Sequence, residues 1–293
     1  MHLLFFVKSY TRLLKLRLSW LVVFSAVITY LMADLRYGNE TDWLNVLMLT
    51  LGGFLVTGSS NAFNQVIEKD FDKLMVRTLN RPMPRAEITT RSALIFSGIS
   101  GISGLLILLF FLNATSAILA LAALVLYVAV YTPLKRVTPF AVFVGAFPGA
   151  VPPLLGWSAA TGSLDFEGWV LFAIQFMWQF PHFWALAWML HDDYLKAGFR
   201  MLPAADGRSK TSALQIMFYT AGIIPIGLLP YVFGITGIVS AIVTAACGVL
   251  FLVRSVQLHR SLEIQDARNL LFASFIYLPV VQLALMFDTK TLP

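Results

Sequence analysis

Long apolar segments alternate with short charged ones along the whole chain. Nine of the apolar segments have about the length that spans a bilayer as a helix, roughly 20 residues, and they lie near residues 18–34, 44–66, 92–112, 115–133, 139–160, 168–190, 212–233, 235–253 and 270–287. The pattern predicts an all-α, polytopic membrane protein with about nine transmembrane helices. No segment has the composition of a soluble second domain, so we expect residues 1–293 to form a single integral-membrane domain.

Composition and charge support this class and predict its orientation. Hydrophobic residues make up 58% of the chain and charged residues 12%, which leaves too little polar surface for a soluble protein of 293 residues. If the N-terminus lies inside, only Arg36 and Lys290 of the 21 basic residues fall in outside loops, and the positive-inside rule then makes the inside the cytoplasm. The net charge of +6 therefore reflects topology, and we expect a lipid bilayer and no nucleic acid as a partner.

The first charged loop begins with three oxygen-bearing side chains at a spacing of four residues. Asn64, Glu68 and Asp72 would stack along one face of a helix, and we expect this helix to continue to about Asn80 and to end before Pro82. Oxygen ligands on one face suit Mg²⁺, which takes few protein ligands and completes its shell with water and phosphate oxygens. The stretch therefore predicts a magnesium site.

Basic side chains follow these carboxylates. Arg77 and Arg81 carry forked guanidinium donors that match phosphate oxygens, so we predict that both bind a diphosphate held beside the metal. The alternative is a solvated helix end with salt bridges between residues four apart. The membrane context favours a functional role, because ionisable groups near membrane depth are costly and usually functional.

A second charged loop follows the sixth predicted span. Asp192 and Asp193 are candidates for a second set of metal ligands, and Lys196 is a candidate diphosphate contact. Adjacent residues of a helix point about 100° apart, so we expect only one of the two aspartates to face the site. Taken alone, such a pair is more typical of a helix cap or an exposed surface.

Tyr131 and Lys135 lie four residues apart at the end of the fourth predicted span. An aromatic residue and a lysine at a membrane interface are commonly an anchor and a base whose head group reaches water. The alternative is a catalytic pair, in which Lys135 contacts phosphate and the ring of Tyr131 stabilises an allylic cation. The residues by themselves leave both interpretations open.

These motifs together resemble those of the UbiA superfamily of intramembrane prenyltransferases. The stretch Asn64–Pro82 is similar to the first aspartate-rich motif of that superfamily. Three further stretches, Tyr131–Arg136, Gly149–Trp157 and Pro181–Gly198, are similar to signatures of its protohaem IX farnesyltransferase branch. The resemblance covers nearly the whole chain.

Two positions depart from the generic superfamily motifs. Glu68 stands where the first motif has an aspartate, and Lys196 stands where the second motif has its second aspartate. Glutamate keeps the same oxygen donors, so Glu68 remains assigned to the metal.

The resemblance implies nine helices around a central cavity and a Mg²⁺-dependent reaction. A farnesyl group would pass from farnesyl diphosphate to a vinyl group of haem B, giving haem O and diphosphate. The residues assigned to catalysis are Asn64, Glu68, Asp72, Tyr131 and Lys135. His182 is a candidate haem contact. The resemblance also implies a bacterial cytoplasmic (inner) membrane, an active site that faces the cytoplasm, and a haem A synthase or an oxidase assembly factor as a protein partner.

A reaction that proceeds through a carbocation needs an apolar, closed cavity, because water would quench the cation. Aromatic residues are expected to supply that lining. The candidates are Phe63, Phe180, Phe183, Trp184 and Trp188, although plain packing or lipid contact is the more common role of such residues.

Two other functions remain as alternatives. A prenyltransferase of the same superfamily that acts on an aromatic or quinone precursor would share the metal site and differ in the acceptor pocket. Only the stretch Pro181–Gly198 argues against it. A secondary transporter would place polar groups near the bilayer midplane, whereas the charges of this chain lie in loops on one side.

Overall fold

The computed structural model describes residues 2–292, and it describes side chains from Lys8 to Leu292. Within that range the chain consists of helices and turns and has no strand, which confirms the predicted all-α class. The helices are α1 (His2–Leu14), α2 (Leu16–Tyr37), α3 (Trp43–Ile67), α4 (Lys69–Asp72), α5 (Thr90–Ile107), α6 (Ala114–Val125), α7 (Thr132–Leu134), α8 (Ala141–Thr161), α9 (Phe166–Met189), α10 (His191–Lys196), α11 (Lys210–Gly227), α12 (Leu229–Val232), α13 (Ile238–Ser261) and α14 (Ile264–Phe287). Two π-helical segments, Leu108–Leu112 and Leu126–Tyr131, extend α5 and α6.

Each predicted span corresponds to one long helix in the described part of the chain. Eight of these helices are long and apolar enough to cross a membrane. The remaining one, α9, has 24 residues but carries Gln175, Gln179 and His182 among its apolar side chains. The predicted number of nine spans is therefore approximate, since α9 has the length of a span with a more polar composition.

Helices α8 and α9 lie at the centre of the bundle. Helix α8 packs against α2, α6 and α9, and α9 packs in addition against α11 and α14. Helix α2 closes the ring through its contacts with α3 and α14. The six helices α2, α3, α6, α8, α9 and α14 together line a central cavity.

The contact between α8 and α9 depends on a proline and a glycine in α8. Pro153 has no backbone N–H, so the carbonyl of Gly149, four residues earlier, loses its partner in the helix. The side chain of Gln175 on α9 replaces that partner and donates to the Gly149 oxygen at 2.8 Å. A Cβ at Gly149 would lie 2.0 Å from the Gln179 side chain, so only glycine allows this close approach.

The predicted continuation of the first carboxylate helix to Asn80 is wrong. Helix α3 ends at Ile67, and after Glu68 the short helix α4 ends at Asp72. The chain then turns back, because Thr78 donates its hydroxyl to the Asp72 carbonyl at 2.8 Å. These local bonds stabilise a compact turn in place of a longer rod.

Candidate active site

Two buried ion pairs form the centre of the charged end of the bundle. The Lys135 Nζ donates to the Glu68 Oε1 at 2.7 Å, although 67 residues separate the two. The Arg81 Nη1 donates to both oxygens of Asp72, at 3.0 and 2.8 Å. Glu68 is 4% exposed and Asp72 is fully buried. Charges removed from water in this way need partners, and each carboxylate has one cation.

Asn64 lies on the same surface and connects two further elements. Its Nδ2 donates to the Thr132 Oγ1 at 3.2 Å, and its Oδ1 lies 3.4 Å from the Lys15 Nζ. The spacing predicted three side chains for this site, Asn64, Glu68 and Asp72. Each of them forms a hydrogen bond with a residue from another part of the chain or from beyond the turn.

Lys15 is a residue of this site that the motif analysis missed. It lies between α1 and α2 with a left-handed backbone (φ 49°), which turns the chain toward α3. Burial, together with repulsion from Arg81 and Lys135, lowers the pKa of Lys15 to about 7. Its only signal in the sequence was a basic residue directly before the first span.

The site has more basic side chains than carboxylates. Three basic side chains (Lys15, Arg81 and Lys135) face two carboxylates. Burial opposes the charge of Lys135, but the Glu68 carboxylate beside it raises the pKa of Lys135 above its ordinary value. The cluster therefore favours a polyanion, since it has more donors than its own carboxylates require.

Tyr131 connects this charged cluster to the central cavity. The Lys135 Nζ lies 4.6 Å from the centroid of the Tyr131 ring, and the ring lines the cavity. A Cβ at Gly145 would lie 2.6 Å from that ring. Glycine at this position of α8 is thus what leaves room for the ring between the cluster and the cavity.

The two aspartates of the second loop point to different partners. The Asp193 carboxylate accepts hydrogen bonds from the backbone N–H groups of Val76 and Arg77, at 2.9 and 3.2 Å. Although partial burial opposes its charge, these bonds lower the pKa of Asp193. The Asp192 side chain is 73% exposed and pairs with Arg208 at 2.9 Å. Asp193 therefore joins the two charged loops, and Asp192 lies outside them.

Two of the predicted diphosphate contacts lie farther from the ion pairs. The Arg77 guanidinium lies 5.6 Å from the Tyr194 ring centroid, with one nitrogen 3.5 Å from the Tyr194 hydroxyl. Lys196 pairs with Asp193 at 3.3 Å, and its side chain is 54% exposed. Arg81 and Lys135 belong to the buried cluster itself, whereas Arg77 and Lys196 lie at its rim.

The cavity extends from Tyr131 into the bundle and has a volume of about 300 Å³. Its walls are mostly apolar, with a few polar side chains that include Asn61, Gln179 and His182. The predicted aromatic lining is wrong in most positions. Phe183 lines the cavity, whereas the core contains the side chains of Phe180, Trp184 and Trp188.

The oxygen donors of the cluster fit a hard divalent cation. The described residues contain no group of three or more His, Cys, Asp or Glu side chains that could hold a metal ion. However, Glu68, Asp72 and Asn64 are three side chains that could each supply an oxygen ligand. Mg²⁺ needs few protein ligands when phosphate and water complete its shell. The donor set therefore fits Mg²⁺ only in company with a phosphate-bearing ligand.

The fold and the site define a helical membrane protein with a buried charged cluster at one end of an apolar cavity. The chain belongs to the UbiA prenyltransferase family, whose profile matches residues 21–278. It is 48% identical to the protoheme IX farnesyltransferase of Cytophaga hutchinsonii, and the aligned region covers 96% of this chain and 97% of that protein. The corresponding protein of Christiangramia forsetii is 41% identical, with coverage of 96% and 93%.

Solved structures share the fold at low sequence identity. A digeranylgeranylglyceryl phosphate synthase superposes with a TM-score of 0.79 at 22% identity, covering 96% of this chain and 98% of its own. A UbiA homologue from Archaeoglobus fulgidus, solved with DMAPP and Mg²⁺, superposes with a TM-score of 0.69 at 16% identity, with coverage of 94% and 99%. The bundle of this chain is therefore the UbiA fold, and the chain is an integral membrane enzyme that transfers prenyl groups.

Proposed function

We propose that this enzyme transfers the farnesyl group of farnesyl diphosphate to a vinyl group of haem B, which gives haem O and diphosphate. The observation that carries the prenyl transfer is the buried cluster of Glu68–Lys135 and Asp72–Arg81, which the Tyr131 ring connects to an apolar cavity. The choice of haem as acceptor rests on the farnesyltransferase relatives, which match over nearly the whole chain.

The diphosphate binds to the basic side chains of the cluster. The Arg81 Nη1 is engaged by Asp72, while its Nε and Nη2 form no hydrogen bond to any described residue. These two nitrogens form a fork that matches two phosphate oxygens. Lys15 adds a donor beside Asn64, and Lys135 adds one beside Glu68. Their donors stabilise the negative charge that grows on the diphosphate as it leaves.

Glu68, Asp72 and Asn64 are the residues that would hold Mg²⁺, with Asp193 as the nearest carboxylate of the second loop. When bound, Mg²⁺ supplies further positive charge to the leaving diphosphate. The A. fulgidus homologue was solved with both a prenyl diphosphate and Mg²⁺, which supports this assignment for the family site.

The cavity protects the reactive farnesyl group. The Tyr131 ring lies between the charged cluster and the apolar walls, where its face can stabilise an allylic cation. The apolar walls keep water away from that cation until it meets the acceptor. Diphosphate thus leaves at the charged cluster, whereas the new bond forms in the apolar cavity.

The charged end of the bundle is proposed to face the cytoplasm of a bacterial inner membrane. The loops that carry Asp193 and Glu68 meet at this end through direct hydrogen bonds. The basic residues of the same loops follow the positive-inside rule. Farnesyl diphosphate, a charged soluble molecule, would then enter from the cytoplasm.

The test is a defined reaction. Purified enzyme in detergent, given haem B, farnesyl diphosphate and Mg²⁺, should form haem O, identified by mass spectrometry, and release diphosphate. EDTA should abolish the product and added Mg²⁺ should restore it. The control variant is Asp266→Asn. It removes a carboxylate on α14 that accepts a hydrogen bond from Ser261, and its rate of haem O formation should equal that of the unmodified enzyme. Product from 4-hydroxybenzoate or a naphthoate, with none from haem B, would assign the enzyme to another acceptor.

A further inference from the structure

His182 is held by a residue of another helix. Its Nδ1 lies 2.7 Å from the Ser274 Oγ on α14, and Ser274 is fully buried. The ring also lines the central cavity. A histidine whose Nδ1 is held by a second residue and whose ring lines a cavity has the arrangement of many metal ligands.

The hydrogen bonds of Ser274 determine which ring nitrogen carries the proton. The Ser274 Oγ lies 2.5 Å from the Leu271 carbonyl oxygen. A carbonyl oxygen only accepts, so the single hydroxyl proton of Ser274 goes to Leu271. The Ser274 oxygen must then accept its bond from the Nδ1–H of His182. In a neutral imidazole this leaves a lone pair on the Nε2.

The orientation of the ring is fixed as well. Trp178, one turn earlier on α9, stacks on His182 with centroids 4.5 Å apart and planes at 20°. The Trp178 indole in turn donates to the Ser274 carbonyl at 2.8 Å. Phe275 also meets the ring edge-on, with centroids 5.1 Å apart. The imidazole plane is therefore set by the protein before any ligand enters.

The Nε2 has no hydrogen-bond partner among the described residues. His182 is also the only histidine, cysteine or methionine that lines the cavity within the described part of the chain. The cavity thus offers one neutral nitrogen lone pair, on an immobilised ring, in otherwise mostly apolar walls. Imidazole nitrogen is a good ligand for iron.

We propose that the His182 Nε2 is an axial ligand of the haem iron and that Ser274 is the residue that positions it. The proposal rests on the proposed function, in which haem B is the acceptor. Ligation at the iron fixes the centre of the porphyrin relative to α9. It thereby limits how far the porphyrin edge lies from Tyr131 and the allylic carbon, so the pair acts as a determinant of acceptor position.

The first experiment measures haem binding without the second substrate. Ferrous haem B is added to the purified full-length enzyme without farnesyl diphosphate, and the iron–imidazole stretching band is recorded by resonance Raman spectroscopy. In His182→Gly the band should disappear and the Kd for haem should rise about tenfold or more. Added imidazole should restore the band. An unchanged band and Kd in His182→Gly would overturn the proposal.

The second experiment separates positioning from packing. Ser274→Ala removes the acceptor of the Nδ1–H, so the band should move to lower frequency and haem affinity should fall about tenfold. Ser274→Thr keeps the hydroxyl and should restore both. The matched control is Ser255→Ala on α13, an equally buried serine that also bonds to a carbonyl three residues earlier, and it should change neither. A Ser274→Ala spectrum identical to that of wild type would refute the positioning role.

These outcomes are independent of the product assay. If wild-type enzyme forms haem O while His182→Gly keeps its iron–imidazole band, the ligand assignment fails and the proposed function stands. If wild-type enzyme shows the band, loses it in His182→Gly and forms no haem O, the ligand assignment stands and the farnesyl transfer fails.

Discussion

Arg81 reaches back nine residues along the chain and donates from one guanidinium nitrogen to both carboxylate oxygens of Asp72, at 3.0 and 2.8 Å. A continuous helix would place two residues nine positions apart about 13 Å from each other along its axis. The turn after α4 is therefore what brings an arginine to the predicted metal ligand. This turn places the proposed phosphate donor and the proposed metal ligand side by side.

Arg81→Lys tests this contact. Lysine keeps the charge but loses the fork, so the KM for farnesyl diphosphate should rise on the order of tenfold. The KM for haem B should stay unchanged in steady-state assays. Arg254→Lys on α13 is the matched control, because Arg254 bonds to Gln257, on its own helix. A parallel rise in both KM values would instead indicate a general loss of structure.

Glu68 and Lys135 form a pair in which stability and activity can be separated. Glu68→Gln removes the charge that Lys135 requires and should destabilise the protein by up to about 3 kcal/mol, with turnover lowered about a hundredfold. The double variant Glu68→Gln/Lys135→Met leaves no unpaired charge. It should regain the melting temperature in detergent without regaining turnover.

Glu68→Asp is the companion variant, because aspartate is the residue of the generic family motif. It should keep more turnover than Glu68→Gln, measured under the same Mg²⁺ concentrations. Near-normal activity of Glu68→Gln with unchanged Mg²⁺ dependence would remove Glu68 from the metal site.

The two aspartates of the second loop should differ in their effects. Asp193→Asn weakens the bonds to the backbone of Val76 and Arg77 and removes the carboxylate nearest to the first loop, so turnover should fall at least about tenfold. Asp192→Asn loses an exposed pair with Arg208, which contributes at most about 1 kcal/mol, and should change little. Rates measured at saturating Mg²⁺ compare the two, and a greater loss in Asp192→Asn would reverse the assignment.

Gly145→Ala should impair catalysis without removing any charged or polar group. The new methyl would lie 2.6 Å from the Tyr131 ring, and a packed interior shifts its neighbours to relieve such an overlap. The displaced ring should lower kcat several-fold. Gly98→Ala on α5 is the control, since nothing lies within 4 Å of its Cβ. Equal rates in both variants would show that the position of the Tyr131 ring is unimportant.

The proposed orientation predicts the side on which each loop is found. Reporter fusions after Arg85 and Arg208 should give a cytoplasmic signal, and a fusion after Asp165 should give an external one. Asp165 lies in the short connection between α8 and α9, where its carboxylate accepts from the Trp157 indole at 3.1 Å. A cytoplasmic signal at Asp165 would reverse the topology.

The sequence by itself determined the helices and the charged loops between them. Apolar length predicts a membrane helix because backbone hydrogen bonds must close within the segment when no water is present. That rule acts locally, so it can be read along the chain. The spacing of Asn64, Glu68 and Asp72 was local in the same sense, and it selected three side chains that the structure buries.

Only the tertiary structure decided the partners of those side chains. Lys135 meets Glu68 across 67 residues, and Ser274 orients His182 across 92. Lys15 itself has a left-handed backbone between two helices, and from there its side chain reaches the site. No local pattern encodes such pairs, since each depends on how closely two helices approach. The cost of burying a charge or a polar group without a partner then favours an arrangement that pairs these side chains.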